Sequence, residues 1–135
     1  MNATASTHIA LSDVSKSFVD PRRGETRALD DISLAIAEGE FVCLLGPSGC
    51  GKSTILNLIA GFERASTGHV RLGGQPVTRP GPDRGMVFQE PMLFPWLNVI
   101  DNVTFGPRMA GIRSDDYLKA ADRYLQLVGL RGFER

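Results

Sequence analysis

Residues Gly46-Pro47-Ser48-Gly49-Cys50-Gly51-Lys52-Ser53-Thr54 follow the apolar run Phe41-Val42-Cys43-Leu44-Leu45. The spelling is G-x-x-x-x-G-K-[ST], and its chemistry needs a strand before it and a helix after it. Gly46, Gly49 and Gly51 let successive backbone N–H groups face inward as an anion nest. The following stretch, Lys52 to Ala60, points the positive end of a helix dipole at the same spot. Lys52 adds a full charge suited to β- and γ-phosphates, and the Ser53 hydroxyl is placed to ligate Mg²⁺. The loop from Gly46 to Thr54 therefore predicts a nucleoside triphosphate site.

With 135 residues the chain fits one small domain with a real hydrophobic core. Lys plus Arg and Asp plus Glu number 15 each, so no net field favours nucleic acid as a partner. Cys43 and Cys50 lack zinc-ligand spacing and read as a core thiol and a loop thiol. The start of the chain lacks a basic, apolar secretory leader. No window approaches the roughly 20 apolar residues that span a bilayer. A soluble chain is expected, with any membrane role exerted through a partner.

Loose alternation over Ile9 to Phe18 predicts a strand, and Ile32, Leu34 and Ile36 predict a second. The segment Asp20 to Glu25 reads as a polar turn, and so does Ala28-Leu29-Asp30-Asp31. Phe41 to Leu45 is apolar on both faces, as a central strand covered on each side would be. The helix after the loop should stop at Gly61. Gly68 to Leu72 with Gly73-Gly74 predicts a strand and hairpin turn. Residues 76–85 read as loop, and Met86-Val87-Phe88 as a short buried strand. Ser114 can cap a helix carrying Tyr117, Leu118, Ala121, Tyr124, Leu125 and Val128 on one face, with Gly129 ending it. The expected class is α/β, with an antiparallel side sheet and a helical appendage.

Gln89 ends the last of those strands, 37 positions after Lys52. Its amide oxygen could face Mg²⁺ or an attacking water. On Gln89 alone, a polar loop residue without function is the plainer reading. The surrounding residues add weight: Gly46 to Thr54, Met86-Val87-Phe88-Gln89-Glu90 and an aromatic at Phe18 together resemble the ATP-binding subunit of ABC transporters, from about Ile9 onward. The wording Phe-Gln-Glu-Pro-x-Leu-Phe-Pro-Trp is similar to the nitrate, sulfonate and taurine importers of that family.

The resemblance implies a P-loop NTPase core of ABC-ATPase type, with an antiparallel β-subdomain and P-loop core over about 9–89. The Q-loop and the start of a helical subdomain would then occupy about 90–135. It implies ATP and Mg²⁺ as ligands, held by Gly46, Pro47, Ser48, Gly49, Cys50, Gly51, Lys52, Ser53 and Thr54. It gives Lys52 and Gln89 catalytic roles, and Ser53 and Gln89 to the metal. Phe18 would stack on adenine where the family commonly has Tyr; a core aromatic on a strand is the competing reading. Met92 to Trp96 would meet the coupling helix of a transmembrane permease, or else pack within this chain. A second ATP-binding subunit would dock head to tail, and a solute-binding protein would act indirectly. The setting would be the cytoplasmic face of the cell membrane.

Other family residues are not spelled within these 135 residues: a Leu-Ser-Gly-Gly-Gln signature, an apolar strand ending in Asp-Glu, and a switch histidine. His8 and His69 lie in the wrong places for the last. The sequence therefore reads as an incomplete, N-terminal portion of such an ATPase, expected to bind nucleotide without turnover. A non-catalytic nucleotide-binding module and an unrelated P-loop kinase or GTPase are the alternatives. Asn-Lys-x-Asp, which a GTPase would show, does not occur.

Overall fold

The computed structural model describes residues 7–22 and 24–135. They form two compact units, Met1–Met86 and Val87–Arg135. The first is built on strands β1 (Thr7–Asp20) and β2 (Gly24–Ala37), helix α1 (Lys52–Ala60), and strands β3 (Thr67–Leu72) and β4 (Gln75–Pro76). Neighbouring strands run antiparallel in the order β2-β1-β3-β4.

The first two strands are longer than their alternation suggested and meet as a hairpin that closes with Asp20 opposite Gly24. The expected turn at Ala28 to Asp31 lies inside β2 instead. Ladder hydrogen bonds outweigh the local turn preference because the β1–β2 register irregularities absorb the misfit. Asp13 and Asp31 each adopt φ 50°, a left-handed bend that Asp tolerates. Serines take the amides there: Asp13 N–H donates to Ser33 Oγ at 3.0 Å, and Asp31 N–H donates to Ser15 Oγ at 3.0 Å.

Leu11, Val14, Leu29, Leu58 and Val70 form the core, with Ile9, Ile32, Leu34, Ile55 and Ile59 packed around them. Ile55, Leu58 and Ile59 recur at helical spacing and lay α1 on the sheet. The helix stops where expected, at Gly61, whose φ is 82°. Its N–H donates to Leu58 O and the Phe62 N–H to Asn57 O, the paired bonds of a Schellman end. Gly73 and Gly74 turn β3 into β4, also as expected. Residues 77–85 are loop, held in part by Arg84, which donates to the carbonyls of Ala60 and Arg79.

Two expected strands do not form. Residues 41–45 and 86–88 join no ladder among the described residues. Phe41, Leu45 and Val87 are each 90% exposed or more. Cys43, expected in the core, is exposed as well. A strand apolar on both faces is stable only with neighbours on its edges and layers on its faces. The sheet consists of β2, β1, β3 and β4 among the described residues, and neither segment is one of its strands.

The second unit holds helices α2 (Val99–Met109) and α3 (Ser114–Leu127). Helix α2 was not expected, since Gly106 and Pro107 disguise its last turns. It begins at Asn98, whose side chain accepts from the Asp101 N–H at 2.9 Å. Ser114 is the first helical residue rather than the cap, and Arg113 precedes it without a side-chain cap bond. Ala121 and Leu125 are the buried members of the α3 face, while Leu118, Tyr124 and Val128 stay exposed. Gly129 closes the helix, as expected, with φ 74°.

Asn102 fastens the segment before α2. Its Oδ1 accepts from the Phe94 N–H at 2.8 Å, and its Nδ2 donates to the carbonyls of Phe94, Leu97 and Asn98 at 3.1, 2.9 and 3.0 Å. The Phe94 ring meets Phe105 at 4.5 Å and Trp96 at 5.4 Å between centroids.

Two stability predictions follow from this packing. Leu58 is 1% exposed, so Leu58→Ala should cost about 2–5 kcal/mol in urea unfolding of the first unit. A loss below about 1 kcal/mol would contradict its place in the core. Asn102→Ala should destabilise the second unit by about 1–3 kcal/mol and speed hydrogen exchange at the Phe94 amide. Unchanged exchange there would deny Asn102 its fastening role.

Candidate functional site

The glycine loop enters α1 through Gly51, which has φ 94°. A Cβ at Gly51 would lie 2.6 Å from Leu29 Cδ2 and 2.7 Å from the Ala28 carbonyl oxygen. Only glycine meets both demands, a left-handed backbone and no side-chain volume. The start of α1 is thereby held directly against β2. Its first turn carries no acidic side chain, and the N–H groups of an α-helix's first turn have no acceptor within the helix. The dipole and these donors give the loop a positive local potential.

Lys52 is the first residue of α1, and its ammonium folds back across the loop. Nζ donates to Gly46 O at 2.8 Å and to Pro47 O at 2.7 Å, with Cys50 Sγ at 3.5 Å. The Cys50 N–H in turn donates to Pro47 O at 3.4 Å. Pro47, Ser48, Gly49 and Cys50 are exposed, and so is Ser53 on the first turn. The loop thus carries backbone donors, a cation folded back onto its carbonyls and one exposed hydroxyl at the start of α1. That donor set suits phosphate oxygens. Among the described residues, no three His, Cys, Asp or Glu side chains gather to hold a metal ion on their own.

Phe18 lies near the end of β1, opposite Thr26 of β2, and is 41% exposed. The Lys16 ammonium sits over its ring, 4.7 Å from the centroid. Phe18 and the glycine loop belong to the same unit, Met1–Met86. Gln89 belongs to the other unit, on an exposed bend. Within that unit Met92, Leu93 and Trp96 are exposed while Phe94 is half-buried, so the Pro-flanked segment presents an apolar surface. An apolar groove of about 640 Å³ lies beside it, lined by Leu93, Phe94, Val103, Tyr124, Leu125 and Val128 among others. No helix among the described residues is long and apolar enough to cross a membrane.

Two features of this arrangement escaped the sequence. Lys16 reads as an ordinary exposed strand lysine until Phe18 and the segment after α1 are placed around it. Asn102 follows Asn98 by one helical turn, and only a recognised helix start would have revealed it.

The profile of the ABC transporter family matches residues 29–135. The taurine import ATP-binding protein TauB of Jannaschia sp. (strain CCS1) is 47% identical over 128 residues, covering 95% of this chain and 48% of that protein. The protein of the same name from Burkholderia thailandensis is 53% identical over 114 residues, covering 84% and 44% respectively. The chain spans about half the length of the curated relatives it matches. Among solved structures, the dimeric bacterial ABC transporter cassette MJ0796 superposes with a TM-score of 0.79 at 30% identity, over 94% of this chain and 60% of that one. The same cassette in a post-hydrolysis state with ADP and Pi gives the same score. The fold is α/β of the ABC-ATPase type, and the chain belongs to the ABC transporter family.

Proposed function

We propose that this chain is the nucleotide-binding portion of an ABC importer's ATP-binding subunit, and that it holds Mg·ATP. The observation that carries the reading is the loop itself. Gly46 to Thr54 stand at the start of α1 with exposed donors, and the Lys52 ammonium bridges the loop. The backbone N–H groups and Lys52 would hold phosphate oxygens, and Ser53 with Gln89 would hold Mg²⁺. When bound, Mg²⁺ neutralises phosphate charge and adds a Lewis acid. Phe18 offers a π face for adenine.

In that subunit residues 9–89 would serve as β-subdomain and P-loop core, and 90–135 as Q-loop and the start of the helical subdomain. The exposed surface of Met92 to Trp96 suits a permease helix, because apolar groups of that size rarely face water without a partner. A second copy would dock head to tail, and a solute-binding protein would act through the permease at the cytoplasmic face of the membrane. The taurine importers among the relatives favour a small sulfonate-like solute.

Turnover needs more than these groups. Phosphoryl transfer also requires a residue that positions water and charge supplied against the transition state. The sequence contains no Leu-Ser-Gly-Gly-Gln, no strand-terminal Asp-Glu and no switch histidine. The chain alone is therefore expected to bind nucleotide without steady hydrolysis.

Calorimetric titration with ATP, with and without Mg²⁺, tests the site. Lys52→Ala should weaken ATP by about tenfold or more in both conditions. Gln89→Ala should weaken it only when Mg²⁺ is present. Unchanged affinity in the Lys52 variant would overturn the assignment. Phosphate release from the purified chain should stay at background; steady release abolished by Lys52→Ala would refute the non-catalytic reading.

A further inference from the structure

Lys16 stands at a break in the β1–β2 register, which shifts both before and after it. Bulges of this kind re-aim a side chain. Here the side chain is turned into the protein and is only 12% exposed. Nζ donates to Glu63 Oε2 at 2.7 Å and to Arg64 O at 2.9 Å. The same ammonium lies 4.7 Å from the centroid of the Phe18 ring. An ammonium has three donor directions and no acceptor. Two are taken by the segment that follows α1, and the cation also rests on one face of the ring.

The backbone repeats this connection. The Ser66 N–H donates to Ser15 O at 2.8 Å, and the Ser17 N–H donates to Ser66 Oγ at 3.0 Å. Residues 15–17 are therefore laced to residues 63–66 on both sides of Lys16. Across the hairpin Lys16 is in register with Leu29, the side chain that packs on Gly51 at the start of α1. One lysine thus touches the exposed aromatic and the exit of α1, and is one strand away from its entrance.

We propose that Lys16 is a positioning residue for the base of a bound nucleotide: it fixes the Phe18 ring relative to α1 through Glu63 and covers one ring face, so that a purine stacks on the other. This rests on the nucleotide-binding reading above. A cation on one face draws electron density from the ring, which favours an electron-rich base opposite. Lys16 reaches no phosphate in this role; its effect belongs to the base alone.

The test is calorimetry on the 135-residue chain with two probes in Mg²⁺ buffer, ATP and inorganic tripolyphosphate. Lys16→Met keeps the stem and removes the charge. It should weaken ATP about threefold to tenfold and tripolyphosphate less than about twofold. Lys16→Arg should restore ATP binding, and Glu63→Gln should shift it in the same direction as Lys16→Met. In a Phe18→Ala background, either change should add nothing further to the loss of ATP affinity. A purely structural lysine would lower the melting temperature and weaken both probes alike, and that result would overturn the proposal. So would additive losses from Phe18→Ala and Glu63→Gln, a pair that carries the test even if Lys16→Met does not fold. A wild type that binds both probes in a Lys52-dependent way, with Lys16→Met unchanged, would sink this inference and leave the nucleotide site standing. A wild type that binds neither probe would remove both.

Discussion

The backbone of Gly51 passes so close to Ala28 and Leu29 that no other residue fits there. The rest of the first unit depends on that approach. It fixes where α1 begins, and the packing of Ile55, Leu58 and Ile59 on the sheet fixes its direction. Between these two restraints the end of the loop at Gly51 is fixed, while the residues before it are exposed and join no strand. Rigidity comes from below the loop and the chemistry is presented above it. This division suits a site that must hold backbone donors in fixed positions without enclosing its ligand.

Much of the first unit was legible because its signals are local. The motif from Gly46 to Thr54, the helix to Gly61 and the Gly73-Gly74 turn each follow from residue types within a few positions. The lengths of β1 and β2 were not legible, because their irregular register is settled across the hairpin. Asp31 looked like part of a turn, and it does bend to a left-handed φ, but inside a strand. The segments at Phe41 to Leu45 and Met86 to Phe88 show the opposite error. Their composition states what environment they need, and composition cannot supply that environment.

The second unit was harder to read because the segment before α2 is tied by one amide. Asn102 uses both ends of its side chain to close the segment from Phe94 to Asn98 onto α2. In a sequence it is one more polar residue in an apolar stretch. The candidate site was legible at the motif and opaque around it for the same reason. Lys52 and Ser53 are named by their spacing, whereas Lys16 acquires meaning only from Glu63 and Phe18, which lie on other parts of the chain or two places along it.

Lys52 gives the loop a threshold. Its ammonium already has two short bonds to carbonyl oxygens, at Gly46 and Pro47. An anion must therefore compete for this cation, and once the cation turns away the two carbonyls are left for water to solvate. A monovalent ion making a single contact would offset less of that loss than a ligand making several. A polyphosphate, with several charged oxygens meeting the backbone donors at the same time, can make the exchange favourable. On the nucleotide reading proposed above, discrimination against the small anions of the surrounding solution would begin with how this lysine rests, ahead of any contact to a base.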